Sequence, residues 1–140
     1  MKHEADCIFC RILEGEIPSI MVYENNQTLA FMDINPANPG HVLVIPRAHY
    51  PDVYSITDDW IAAVSQTACK VAKGIREVLN PAGLNLLQCN GKAAAQTVMH
   101  FHMHVLPRTL DDHLLMNWGI RPGNMEDIKL LGTQLMKAIH

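Results

Sequence analysis

The spacing of apolar and polar residues changes several times along the chain. Over residues 98–106, His100, His102 and His104 alternate with Met99, Phe101, Met103 and Val105. A period of two belongs to a strand, so the imidazoles are expected on one face and the apolar side chains on the other. Between Thr57 and Asn80 the period lengthens. Ile61, Val64, Ala68, Val71, Ala72, Ile75 and Val78 recur every three or four positions. That spacing predicts a long helix with one apolar stripe for a sheet. Thr57 is placed to cap it, Asp58 and Asp59 complement its dipole, and Asn80-Pro81 ends it.

Shorter runs complete the pattern. Residues 20–24, 28–33, 41–45 and 84–90 read as strands, separated by the turn formers Asn25-Asn26, a Pro/Gly loop over 35–40, and Pro46. Their connections are too short for parallel crossovers, so neighbours should pair antiparallel. A short helix is expected over 7–14, ended by Gly15 and Pro18. Asn124 is placed to cap a last helix with Ile128, Leu131, Leu135 and Ala138 on one face. The segment 111–123, which holds Trp118, reads as irregular. The expected class is α+β: an antiparallel sheet of about five strands, one long helix packed on it, and short N- and C-terminal helices.

Composition narrows the function. A chain of 140 residues with 49% hydrophobic content fits one domain with one core. A net charge of −3 and the lack of a basic run argue against nucleic acid as a partner, though not against one nucleotide in a pocket. No apolar run is long enough for a bilayer, and the first residues, with two acids and no apolar stretch, do not read as a signal peptide. A cytoplasmic protein is expected. There, the C-x-x-C pair Cys7/Cys10 points to metal or redox chemistry more than to a disulfide, while Cys69 and Cys89 read as small buried apolar residues.

Three histidines on one face invite either a metal or a nucleophile with supporting groups. Cys7 and Cys10 supply half of a closed Cys₂His₂ zinc set, and His49, just past the central strand, and His100 are the histidines best placed to complete it. Such a zinc would be structural. With His100 so occupied, His102 is the candidate nucleophile towards phosphorus and His104 the group that binds phosphate oxygens or stabilises their charge. Asn90, Gln96 and Thr97, in and around a Gly/Ala loop, offer phosphate donors. Asp33, at a strand end, is placed to accept ribose hydroxyls. Ile12, Phe31, Ile34 and Leu43 are available to sandwich a base, with core packing as the plainer role.

The run His100-Phe-His-Met-His-Val-Leu106 resembles the signature of the histidine triad (HIT) family. Asn90-Gly-Lys-Ala-Ala-Ala-Gln-Thr-Val98, Phe31-Met-Asp-Ile34, Pro39-Gly-His-Val-Leu-Val-Ile-Pro46 and the Cys7/Cys10 pair extend the resemblance over about residues 5–108, leaving 109–140 as a C-terminal extension. The resemblance implies nucleotide hydrolysis or transfer at the α-phosphate of a purine nucleoside 5′-phosphate derivative, a phosphoramidate or a dinucleoside polyphosphate. His102 is the implied nucleophile, with Asp33 at the ribose and Asn90, Gln96, Thr97 and His104 at the phosphate. It further implies zinc on Cys7, Cys10, His49 and His100, no organic cofactor, and a homodimer formed around the long helix and neighbouring strand. Two other readings are a non-enzymatic nucleotide- or partner-binding protein with structural zinc, and a hydrolase using all three histidines as metal ligands. One departure is Ala95, where the family usually has glycine; a positive φ there would cost on the order of 1 kcal/mol.

Overall fold

A computed structural model of the chain describes residues 3–115 and 119–140; Trp118 lies outside them. Its elements run α1 (Ile8–Leu13), β1 (Met21–Glu24), β2 (Thr28–Met32), β3 (Val42–Pro46), α2 (Asp58–Leu79), β4 (Gly83–Gln88), β5 (Met103–Arg108) and α3 (Met125–Ala138). The five strands form one antiparallel sheet in the order β1-β2-β3-β5-β4. Hairpins join β1 to β2 and β2 to β3. β5 inserts between β3 and β4 and brings the histidine run to the middle of the sheet.

Strand alternation divides the core into two layers. Ala30, Val42, Val44 and Val105 face Val64, Ala68, Val71 and Ile75 of α2, with Phe101 in the same cluster. Leu29, Phe31, Leu43 and Ile45 face the opposite way, against Cys7, Phe9 and Cys10 of the N-terminal segment. A buried polar link joins sheet to helix: the Thr28 and Thr67 hydroxyls lie 2.7 Å apart. Asn80 closes α2 in the left-handed conformation at φ 44°, which asparagine tolerates, and Pro81 stops any continuation.

Several expectations need correction. The strand predicted over 98–106 begins only at Met103, because Tyr50 O accepts the backbone N–H of Phe101 and the chain bends through the preceding residues. The strand predicted to reach residue 90 ends at Gln88. Thr57 holds the N-cap position of α2, but its side chain makes no capping bond. Val78 ends the expected stripe at 81% exposure, lining the groove between α2 and the sheet rather than the core. Cys69 is exposed rather than buried. Asn124 does cap α3 through Asp127 N–H, yet every residue of that helix is exposed.

Candidate functional site

The two N-terminal cysteines reach the sheet through a short helix. Cys7 is the N-cap of α1 and its sulfur accepts the Cys10 N–H, so both thiols lie on the buried side of one turn. His49, three residues past β3, and His100 complete a fully buried group. Cys7 Sγ lies 3.4 Å from His100 Nδ1, Cys10 Sγ 3.4 Å from His49 Nδ1 and 3.6 Å from His100 Nδ1, and the two Nδ1 atoms are 3.2 Å apart. A tetrahedral ion with zinc's usual bond lengths sets N–N edges of about 3.3 Å and N–S edges of about 3.5 Å. The three N–S contacts and the N–N contact given above match those edges, and all four donor atoms lie within 4.8 Å of one another, so they can hold a metal ion. His100 Nε2–H donates to Pro46 O at 2.9 Å, which fixes its tautomer and leaves Nδ1 to the group. Burial pushes the Cys10 thiol up to about 11 and His100 down to about 4. A cation among them would favour thiolate and neutral imidazole instead.

Beyond His100 the rings continue in a row. His102 and His104 lie 5.0 Å apart, and His104 and His41 5.1 Å, centre to centre. His104 stands opposite Leu43 and Leu87 in the ladder, on the face of the sheet away from α2. Phe9 roofs the row edge-on, 5.8 Å from His100 and 5.2 Å from His102.

Hydrogen bonds settle which nitrogen carries each proton. His102 Nδ1–H donates to His100 O at 2.7 Å, so Nε2 holds a lone pair. Ala37 N–H donates to His41 Nδ1 at 3.1 Å. His41 Nε2 therefore carries the proton and donates to His104 Nδ1 at 2.9 Å. Neutral His104 is then left with its N–H on Nε2. Burial lowers the pKa of all three rings, His104 to about 4. They are neutral at pH 7. An Asp33 oxygen lies 3.7 Å from His41 Nδ1, and Asp33 also caps the turn by accepting the Asn35 N–H. Asp33, His41 and His104 also form a compact donor set, but the contact between the two histidines is a hydrogen bond that engages His41 Nε2 and His104 Nδ1, while Asp33 stays 3.7 Å from a His41 Nδ1 that already accepts the Ala37 N–H.

The loop before β5 departs from expectation in one respect. Gln96 is buried, and both of its N–H groups are taken, by Pro51 O at 2.6 Å and Val98 O at 3.0 Å, while its oxygen accepts Gly91 N–H. Its side chain staples the loop rather than offering donors to a phosphate. Asn90 exchanges hydrogen bonds with Gln88 and accepts Val53 N–H. The hydroxyl-bearing Thr97 is exposed, with no side-chain hydrogen bond among the described residues. Ala95 takes φ +64°, the left-handed region that its missing glycine would have occupied without strain. Of the four residues considered for a base sandwich, Phe31 and Leu43 are buried in the core and Ile34 is 78% exposed. His41 is the residue that sequence reasoning missed. The only signal was a histidine between a turn glycine and an apolar strand, an unremarkable place by pattern.

The geometry can be set beside known proteins. The model of the HIT domain matches residues 14–111. The chain belongs to the HIT domain family. Protein hit of Bacillus subtilis is 47% identical over 103 residues, covering 74% of this chain and 71% of that protein. Adenosine 5′-monophosphoramidase hnt1 of Schizosaccharomyces pombe is 37% identical over 134 residues, 95% of this chain and 98% of its own length. The crystal structure of a HIT family protein from Bacillus anthracis superposes with a TM-score of 0.90 at 34% identity, covering 97% of this chain and 99% of the other. The C-terminal helix α3 lies outside the residues that the domain model matches, but within the span shared with the Bacillus anthracis structure. No described helix is long and apolar enough to cross a membrane.

Proposed function

We propose that this HIT protein is a nucleotide hydrolase or transferase that works through a nucleotidyl-histidine on His102. The observation that carries the reading is the Nδ1–H bond to the His100 carbonyl. It aims a neutral ring whose lone pair lies on Nε2, in a dry site, beside the Nε2–H of His104. Nε2 of His102 forms a bond to the α-phosphorus of a purine nucleoside 5′-phosphate derivative as the bond to the leaving group breaks with its electron pair. His104 donates its Nε2–H to the phosphate oxygens as their charge develops. Water then displaces the histidine: its oxygen bonds to phosphorus as the P–Nε2 bond breaks, the proton it sheds to solvent matches the one the leaving group takes up from solvent, and the nucleoside monophosphate departs with the lone pair back on Nε2. Asp33 receives the ribose hydroxyls. Asn90, Thr97 and the backbone N–H groups of the loop surround the phosphate, and Gln96 keeps that loop in shape. The relative named adenosine 5′-monophosphoramidase supports this choice of substrate class.

Zinc held by Cys7, Cys10, His49 and His100 is structural in this reading. It would tie α1 to the sheet and take no part in bond making. The partner is a small nucleotide, and the setting is the cytoplasm.

The test is turnover of an adenosine phosphoramidate and a diadenosine polyphosphate by wild type and His102→Asn, with acid-quenched protein examined for a nucleotidyl adduct. Turnover that survives the substitution rejects His102. A wild type that binds both nucleotides and turns over neither would make the protein a nucleotide-binding module instead.

A further inference from the structure

Two side-chain amides flank the loop before β5, and their hydrogen bonds separate them. Gln96 spends both N–H groups, on Pro51 O and Val98 O. Asn90 spends one. Its Nδ2 donates to Gln88 Oε1 at 2.5 Å, while its Oδ1 accepts from Gln88 Nε2 at 3.0 Å and from Val53 N–H at 2.8 Å. A side-chain amide has two N–H donors and an oxygen with two lone pairs. The Asn90 oxygen is therefore full, and among the described residues one Asn90 N–H is left to give.

Gln88 fixes the direction of that remaining donor. The Val53 backbone N–H can only donate, so it decides which end of the Asn90 amide is oxygen. One bond alone would leave the amide plane able to turn about it. Gln88 grips both ends, donating to the oxygen and accepting from the nitrogen, and its own second N–H is tied to Cys89 O at 3.2 Å. A two-bond pairing of planar groups sets orientation as well as distance. The grip comes from behind. Gln88 stands opposite Met103 in the ladder, one step from the Leu87–His104 pair. Neighbouring side chains leave a strand by opposite faces, so Gln88 sets out on the face of Met103, which packs towards α2, and His104 on the other.

We infer that Gln88 is a positioning residue for the phosphate: without touching substrate, it aims the N–H that Asn90 has left at the oxygens of the group attacked by His102. The inference rests on the phosphate role proposed above for Asn90. It assigns a purpose to a glutamine at the end of β4 that strand pairing alone does not require.

A double-mutant cycle tests it, with kcat on an adenosine phosphoramidate and affinity for adenosine 5′-monophosphate read in parallel. Asn90→Ala should lower kcat by about 10²-fold, the scale of losing one donor to developing charge, and should weaken nucleotide affinity. Gln88→Met, of similar length but without hydrogen bonds, should lower kcat by about tenfold with a smaller change in KM. In the Asn90→Ala background, Gln88→Met should change neither kcat nor affinity, because Gln88 acts only through that amide. A residue that merely supports β4 would add its own loss there. Urea midpoints check that each variant folds. If Asn90→Ala does not, Asn90→Asp, which keeps the acceptor for Val53 and removes the donor, takes its place. Additive losses, or a single variant with wild-type kcat and affinity, would overturn the role of Gln88. Turnover that is missing, or that survives His102→Asn, strikes the nucleotidyl-histidine reading instead, and the affinity arm of the cycle still decides on Gln88. A wild type with no affinity for the monophosphate overturns both.

Discussion

His41 Nε2 stands 2.9 Å from His104 Nδ1, and the Ala37 N–H on the far side of His41 forces the proton onto that nitrogen. The pair therefore works in one direction. A backbone amide sets the tautomer of His41, and His41 sets the tautomer of His104. In the proposed reaction His41 would act without touching substrate, as a positioning residue for His104.

His41→Ala should then lower kcat by about 10²-fold, the scale on which a misplaced group costs rate, with a smaller change in KM. The His41→Gln variant, whose amide can still donate to His104, should recover part of the loss. Steady-state kinetics on an adenosine phosphoramidate read both. Equal kcat in all three proteins would show that His104 finds its tautomer without help.

Ala95 holds φ +64° in the turn before the histidine run. Ala95→Gly removes the Cβ strain and should stabilise the fold by up to about 1 kcal/mol, read as a higher urea midpoint at constant slope. The branched Ala95→Val should move the midpoint the other way. A midpoint unchanged by Gly would mean the loop relaxes without cost.

The Cys₂His₂ group should hold one zinc per chain. Elemental analysis of the purified protein should find it, and Cys10→Ser should lose it and melt at a lower temperature. Wild type prepared with zinc available but found free of metal would end the assignment.

Asp112 accepts two bonds from Arg108, at 2.6 Å and 3.1 Å, and further bonds from Asn38 and two backbone N–H groups. The Arg108 hydrogen bond is the largest cause holding its carboxyl well below the ordinary range. A depressed carboxyl stabilises the fold above its unfolded value, near about 4, and loses that contribution as pH falls towards the folded value. Asp112→Asn should therefore lower the urea midpoint at pH 7, and the gap to wild type should narrow below about pH 4. A gap independent of pH would assign the loss to packing alone.

Much of the fold was legible because periodicity records burial. The stripe of α2, the apolar β3 and the turn residues around Asn25 and Pro81 each announced their element. The grouping of Cys7, Cys10, His49 and His100 was legible too, since a C-x-x-C pair asks for two more ligands and these histidines flank the central strand and open the histidine run. What stayed hidden depends on contacts between distant residues. Gln96 reads as a free amide until Pro51 and Val98 are folded beside it. His41 reads as a strand residue until β3 pairs with β5 and sets it against His104. The period of α3 shows that it has an apolar face, and no period says what covers such a face.

Phe9 has a consequence that reaches past packing. It lies between the two cysteines and leans on the rings of both His100 and His102. The helix that carries it has six residues, too few to persist in water without outside contacts. The dry surroundings of His102 thus belong to a segment with no stability of its own. Packing of α1 onto the sheet and the shielding of His102 are therefore one event, so a substitution that weakens the first should also wet the ring.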